Sequence, residues 1–327
     1  MSWFVRHSEK VTRHHIVKTD ASDTVESNVG IASLSAHYFA LAIVDHSSVA
    51  PKFSSQLAAN APIADGALTY TPASAGQSLD LKYTAFAGPK SYDLLKTIDD
   101  HLPLVIDFGM FAIFARPILW LLKFLNEIIG NWGFAIIALT IIVRVIVLPF
   151  NAYSYKSMKV MQKLQPEMTR IREKYKDKPP EQKMQMNQEV MELMKRHKAN
   201  PVGGCLPMLL QLPVFFALYQ VLGQSIELYQ APFIFWIQDL TLKDHFYVLP
   251  ILMGASMFVQ QKITPSTMDP QQAKIMMWMP VIFSFMMVSL PSGLTLYIFV
   301  STLFGIIQQY LMMRDSSPKQ SVTEAKA

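Results

Sequence analysis

The chain has 327 residues, 51% of them hydrophobic and 16% charged, with 20 Met, 20 Phe and a formal net charge of +5. This balance is skewed toward lipid-facing helices and away from an ordinary soluble core. A single cysteine, Cys205, excludes an internal disulfide and reads as a small packing residue.

Residues 1 to about 90 read as β structure. Ser78 to Phe86 alternates, His37 to Val44 is rich in β-formers, and Ser, Pro, Ala and Gly dominate the connections. This predicts a partial β-sandwich within residues 1–100. His7, His14, His15, His37, His46 and His101 lack zinc-like spacing and read as surface or sheet histidines. From Pro117 to Ile129 the pattern becomes an amphipathic helix. Arg116, Lys123 and Glu127 fall on one stripe, with Leu119, Trp120, Leu122 and Phe124 elsewhere. Such a segment, within 101–130, lies along a membrane interface. The competing reading, a spanning helix, would place Arg116 and Lys123 at depth.

Five apolar stretches then approach the roughly 20 helical residues needed to cross a hydrocarbon core of about 30 Å. They lie near 131–150, 202–223, 246–262, 274–290 and 294–313. The third and fourth are short enough to favour local bilayer thinning. Pro201, Pro207 and Pro213 recur every six residues around a Val202-Gly203-Gly204 opening, which predicts a kinked second span.

Between the first two spans, residues 151–200 hold twelve Lys or Arg against six Asp or Glu, more net charge than the whole chain's +5. By the positive-inside rule this loop is cytoplasmic. Gln224 to Phe246 carries one base, Lys243, against Glu227, Asp239 and Asp244, which fits the opposite side. Pro291, Ser292 and Gly293 form a tight outer hairpin, and the tail at 315–327 is inside. Five spans therefore place residues 1–130 outside. The first thirty residues contain no apolar stretch able to export them, so either an anchor is missing or the chain is a fragment.

The 151–200 loop is itself helical by pattern. Met161, Leu164, Met168, Ile171 and Tyr175 repeat at three and four, as do Met186, Val190, Leu193 and His197. Asp177-Lys178-Pro179-Pro180 breaks the run, which predicts an antiparallel hairpin with basic outer faces. Lys156, Lys159, Lys163, Arg170 and Arg172 are candidates for docking ribosomes, anionic lipid or targeting factors. A solvated loop whose charges only set topology is the plainer alternative.

Within the first span Arg144 is the only charge. An arginine facing hydrocarbon costs about 2.5–3.5 kcal/mol on insertion scales, so one retained there faces a polar cavity. Its position about 9–10 Å inside the cytoplasmic boundary allows some relief by snorkelling. Thr140 lies one turn away on the same face. Gln211 falls near the middle of the second span; Ser256, Ser284, Ser301 and Thr302 supply hydroxyls, and Gln260, Gln261, Gln308 and Gln309 cluster toward the cytoplasmic ends. Each alone reads as a packing hydrogen bond. Together they point to a one-sided wet cavity. No span contains Asp, Glu or His, and Lys262 and Lys274 sit only at margins, which argues against ion-coupled transport. Intramembrane proteolysis lacks a base or an HExxH helix, and ATP hydrolysis lacks a phosphate loop. No enzyme, cofactor or specific nucleic-acid site is expected.

The strings NWGF at 131–134, TIIVRVIVLP at 140–149, NPVGGCLPMLLQLPVFFALY at 200–219, QAPFIFWIQDL at 230–240, LPILMGASMFVQQK at 249–262 and LPSGLTLYIFVSTLFGIIQQ at 290–309 resemble the YidC/Oxa/Alb family of membrane protein insertases, chiefly its bacterial members. The similarity covers about 130–314, with a weaker upstream continuation resembling the end of the periplasmic domain of Gram-negative members. It implies an all-α polytopic protein of the bacterial inner membrane. Its five-helix core and cytoplasmic hairpin follow a partial periplasmic β-sandwich. It further implies a hydrophilic groove open to cytoplasm and lipid, with Arg144 as its positive charge and Thr140, Gln211, Tyr297, Ser301 and Gln308 as groove residues. Tyr297 matches the first of an aromatic pair that contacts substrate, whereas Ile298 stands where the second aromatic is common. Nascent membrane proteins are the implied substrates, with the Sec translocon, the ribosome and signal recognition machinery as possible partners. A solute transporter or pore is the alternative function, and would need a polar path through the apolar opposite ends of the spans.

Overall fold

The computed structural model describes residues 2–7, 11–15, 24–57, 64–72, 74, 78–176, 178–197, 199, 206–264 and 270–314. They form two compact units, one of Met1–Ala112 with Gly223–Tyr229, the other of Ile113–Leu222 with Gln230–Ala327.

The first unit contains eight strands among the described residues, β1 (Ser2–His7), β2 (Val11–His15), β3 (Thr24–Glu26), β4 (Val29–Ser35), β5 (Phe39–Asp45), β6 (Lys52–Leu57), β7 (Ala64–Thr69) and β8 (Tyr83–Pro89). One antiparallel sheet runs β2-β1-β4-β5-β8 and the other β3-β6-β7. Val5, Val29 and Ala32 from the first sheet and Phe53 from the second share a buried cluster, joined by Leu34 and Leu68. Alternation in β5 buries Ala40, Ala42 and Val44 and exposes Phe39, Leu41 and Ile43. The strand expected over Ser78 to Phe86 begins only at Tyr83. Its partner β5 ends at Asp45, the residue opposite Tyr83, so the ladder closes with one further backbone bond, His46 N donating to Lys82 O at 2.7 Å, and Ser78–Leu81 have no strand to pair with. Past that point Lys82 and Ser47 bond through the Ser47 hydroxyl instead.

After β8 the chain forms α1 (Tyr92–Ile98) and a short 3-10 turn at Leu102–Val105, burying Leu95 and Leu102 completely. Lys90 lies between β8 and α1, only 3% exposed, with its ammonium donating to Gln224 Oε1 at 3.2 Å. Ser91 donates to Glu227 Oε1 at 3.1 Å, and Tyr38 and Tyr229 rings lie 4.8 Å apart.

The second unit is helical. Helix α2 (Ala112–Ile129) buries Ala115, Ile118, Leu119 and Leu122 along one stripe, and leaves Trp120, Phe124 and Ile128 exposed beside Arg116 and Glu127. Its apolar residues therefore divide between an internal stripe and an exposed flank, which the charge stripe alone did not distinguish.

Helix α3 runs without a break from Trp132 to Lys174. The first expected span and the first arm of the expected hairpin are thus one 43-residue helix rather than a span ending near 150 and a separate arm. Pro149 and Pro166 lie inside it, each removing one backbone hydrogen bond without ending the helix. Helix α4 (Pro180–Arg196) packs back on its far end. Met161, Leu164, Met168 and Val190 form the buried seam there, and Tyr175 donates to Glu189 Oε1 at 2.7 Å.

The remaining helices are α5 (Leu206–Gln224), α6 (Val248–Ile263), α7 (Pro270–Met287) and α8 (Ser292–Arg314). Among the described residues, α3 and α8 are long and apolar enough to cross a membrane, and α5, α6 and α7 contain shorter apolar stretches. Of the three prolines expected in the second span, Pro213 lies inside α5; Pro201, the adjacent glycines and Cys205 fall outside the described residues.

At the end where α3 and α8 begin, the helices are tied by backbone and caps. Asn131 Oδ1 accepts from the amides of Gly133 and Phe134, and its Nδ2 donates to the Phe233 carbonyl at 3.1 Å. The Ser292 and Gly293 amides donate to Leu242 and Leu240 carbonyls at 2.7 and 2.9 Å. Asp244 is buried and accepts from Trp236 Nε1 at 2.9 Å, Phe246 N at 3.1 Å and Leu249 N at 2.8 Å, which caps α6. The close approach at Gly293 favours glycine, since a Cβ there would lie 3.0 Å from Leu222 and 3.1 Å from the Leu240 carbonyl and would push its neighbours aside.

Candidate functional site

The polar side chains of the apolar helices fall into one seam. Arg144 on α3 donates through Nε to Ser301 Oγ on α8 at 2.8 Å, across 157 positions in sequence. Asn151 on α3 donates through Nδ2 to Gln308 Oε1 on α8 at 3.2 Å, again across 157 positions. An identical offset on two rungs means that α3 and α8 run parallel and in register, with their polar residues repeating every seven positions along one face. Thr140 and Tyr297 stand at the same offset one turn earlier, both buried.

Helix α5 joins the seam from the side. Gln211 Nε2 donates to the Tyr297 hydroxyl and approaches Ser301 Oγ at 3.5 Å. The structure thus brings Arg144, Ser301, Gln211 and Tyr297 into one network spanning three helices. Tyr297 and Ser301 are 1% and 3% exposed, while Arg144 and Gln211 remain partly exposed, so the network reaches an open surface through its arginine and amide. Among the described residues no carboxylate lies within ion-pair reach of Arg144. Its partner is a neutral hydroxyl, which orients the guanidinium without neutralising it.

Two expected groove residues occupy more closed positions than their chemistry suggested. The Thr140 side chain is fully buried and its hydroxyl donates to the Ile136 carbonyl at 2.6 Å, so the helix absorbs its donor. Gln308 is 5% exposed and pairs with Asn151. The other hydroxyls are packing groups. Ser256 bonds Met253 O, Thr302 bonds Ile298 O, and Ser284 of α7 bonds Pro250 O of α6 at 2.6 Å. Gln309 and Thr264 exchange hydrogen bonds between α8 and α6, and Gln260 lies against Gly305.

Asn151 was not among the sequence candidates. Placing the span's end at Phe150 made the next polar residue look like the start of a loop, whereas α3 continues straight through it. The signal was its seven-residue spacing from Arg144.

Along the outward part of α3, Lys156, Lys163 and Arg170 are exposed and Arg172 is partly exposed. Lys159 is only partly exposed and donates to the Met312 carbonyl, a third tie between α3 and the end of α8. It therefore satisfies a helix C-terminus rather than standing ready for a partner.

Comparison with known proteins bears on this arrangement. Residues 124–320 match the family model described as 60Kd inner membrane protein, and residues 3–121 match that of the YidC periplasmic domain. The chain is 52% identical over 246 residues to the membrane protein insertase YidC of Geobacter sulfurreducens, covering 75% of this chain and 46% of that protein. It is 40% identical over 307 residues to the YidC of Aromatoleum aromaticum, covering 94% and 55%. The chain thus spans about half the length of the curated relatives it matches. A crystal structure of an active YidC insertase with its first transmembrane domain resolved superposes with a TM-score of 0.55 at 20% sequence identity, covering 94% of this chain and 83% of that one. The fold is that of a helical polytopic membrane protein with a β-rich periplasmic segment ahead of its helices.

Proposed function

From a chain that belongs to the 60Kd inner membrane protein family, whose curated relatives are named membrane protein insertase YidC, we propose an insertase that moves hydrophobic segments and short polar tails from the cytoplasm into the inner membrane. In this reading the basic hairpin of α3 and α4 is cytoplasmic, the β-rich unit is periplasmic, and the wet groove opens toward cytoplasm and lipid.

One observation carries the proposal: Arg144 is held in the apolar part of α3 by Ser301 and has no carboxylate partner among the described residues. An arginine kept in an apolar span only for stability would normally be paired, because an unneutralised charge there is costly. Here the charge is oriented and left available. An acidic residue in a passing tail supplies the missing counter-charge, and a polar path through part of the bilayer shortens the hydrocarbon crossing. The hydrophobic segment then moves into lipid, driven by about 25 cal/mol per Å² of apolar surface buried. No covalent bond is made or broken.

Nascent membrane proteins are the substrates in this scheme. Lys156, Lys163 and Arg170 form an exposed basic row suited to a ribosome, targeting factor or anionic headgroup.

The test is reconstitution in liposomes with a single-span substrate made by cell-free synthesis, together with photo-crosslinking from Gln211 to a stalled chain. Protease-protected substrate and a crosslink at Gln211 are expected, without ion conductance. Conductance with no insertion would instead establish a pore.

A further inference from the structure

The rung between Asn151 and Gln308 has a property that the Arg144 rung lacks. Both side chains are at least 95% buried, at 1% and 5% exposure, yet only half of each amide is used. Asn151 Nδ2 donates to Gln308 Oε1, while Asn151 Oδ1 and Gln308 Nε2 have no partner among the described residues. Turning both amides over gives the same balance, one free donor and one free acceptor side by side. A pair of buried groups left in this state costs free energy that two apolar residues would not, so packing alone is a poor reason for it.

One free donor beside one free acceptor is the complement of a peptide unit, which offers an N–H and a C=O. Lipid esters offer acceptors only, and a carboxylate tail residue would be served by Arg144 instead. The rung lies seven residues beyond Arg144 on α3 and seven beyond Ser301 on α8, so a chain moving along this seam passes both. We infer that Asn151 and Gln308 form a clasp for the main chain of the entering polar tail. Closed, the two amides hold each other; opened, Asn151 accepts from a substrate N–H and Gln308 donates to a substrate C=O. Arg144 thereby reads charge, and the clasp holds any sequence. This assignment rests on the insertase reading above.

The experiment reads main-chain recognition directly. Liposomes containing the full chain receive a single-span substrate whose short tail is polyglycine or polysarcosine, the latter lacking every amide N–H. Wild-type protein is expected to insert the glycine tail roughly fivefold faster, the factor set by about one net hydrogen bond. Simple partitioning predicts the opposite order, because losing N–H groups lowers the cost of leaving water. Asn151→Leu with Gln308→Leu should abolish the preference for glycine, slowing the glycine tail more than the sarcosine tail, which engages only the carbonyl half of the clasp. The exchanged pair Asn151→Gln with Gln308→Asn, which keeps both amides, should restore the preference. Equal rates for the two tails in wild type, or an equal slowing of both in the double-leucine variant, would overturn the clasp while leaving the insertase reading intact. Insertion of neither tail by wild type would overturn both.

Discussion

Arg144→Ala separates a charge kept for stability from one kept for work. The substitution removes the Nε bond to Ser301, a charge-assisted interaction of about 1.5–3 kcal/mol. It also removes an arginine whose placement in an apolar helix costs about 2.5–3.5 kcal/mol. The two nearly cancel, and Ser301 keeps Gln211 nearby at 3.5 Å. Melting in detergent should therefore shift by no more than a few degrees. For a tail carboxylate about 4 Å from the guanidinium, Coulomb attraction runs from about 1 kcal/mol in water to about 4 kcal/mol at an effective dielectric of 20. The middle of that range is about 2 kcal/mol, or roughly 30-fold in rate. Insertion of a substrate whose tail carries aspartate should fall by about that factor, and that of a neutral tail by less than about threefold. Arg144→Lys should retain part of the effect. The assay is protease protection in liposomes against tails of graded charge. Equal loss for acidic and neutral tails would refute the reasoning, as would a collapse of the melting temperature.

Burial pushes the Lys90 ammonium down to about 8 from its ordinary 10.5, against the attraction of Asp107. The unfolded chain then binds the extra proton between these values, so stability should rise with pH across that window. Lys90→Met should flatten the rise, read as the difference in melting between wild type and variant at pH 7.5 and 10. A wild-type slope no steeper than the variant's would contradict it. At Gly133 a Cβ would fall 2.0 Å from the Phe233 ring, so Gly133→Ala should cost about 1–3 kcal/mol, measurable as a lowered melting temperature with substrate specificity unchanged. Reversing Lys156, Lys163 and Arg170 to Glu should weaken binding to ribosomes or anionic vesicles by at least about tenfold at low salt. Unchanged co-sedimentation would leave those charges a topological role only.

Helix identity was legible wherever lipid-like composition and period agreed. The apolar stretches of α3 and α8, the Met161–Leu164–Met168 seam and the break before Pro180 all follow from the residue pattern. Continuity was not. The residue pattern makes the hairpin arm helical but separate from the span, because composition changes sharply at Asn151, whereas the backbone hydrogen bonding runs on and α3 continues to Lys174. Arg144 stood out as a lone charge and Ser301 as one of several candidate hydroxyls, but their pairing did not, because hydroxyls on apolar helices are common and which one pairs depends on helix register. Thr140 shows the converse. One turn from Arg144, its hydroxyl is spent on Ile136 O, a local bond that spacing cannot exclude. In the β-rich unit, the alternation at Ser78–Lys82 predicted a strand for which the neighbouring strand is too short.

The unbroken α3 also has a mechanical meaning. At about 1.5 Å per residue it is a rod roughly 65 Å long, with Arg144 and Asn151 in its first half and the basic arm in its second. A rigid rod would couple rocking of the arm to shifting of the seam, and Pro149, between the Arg144 and Asn151 rungs, is its weakest point. A tilt of roughly 10° about Pro149 would carry the Lys174 end through about 6 Å. Read backwards, a load attached to the arm would act with that leverage on the ties that join α3 to α8. The hairpin would then be a handle on the seam.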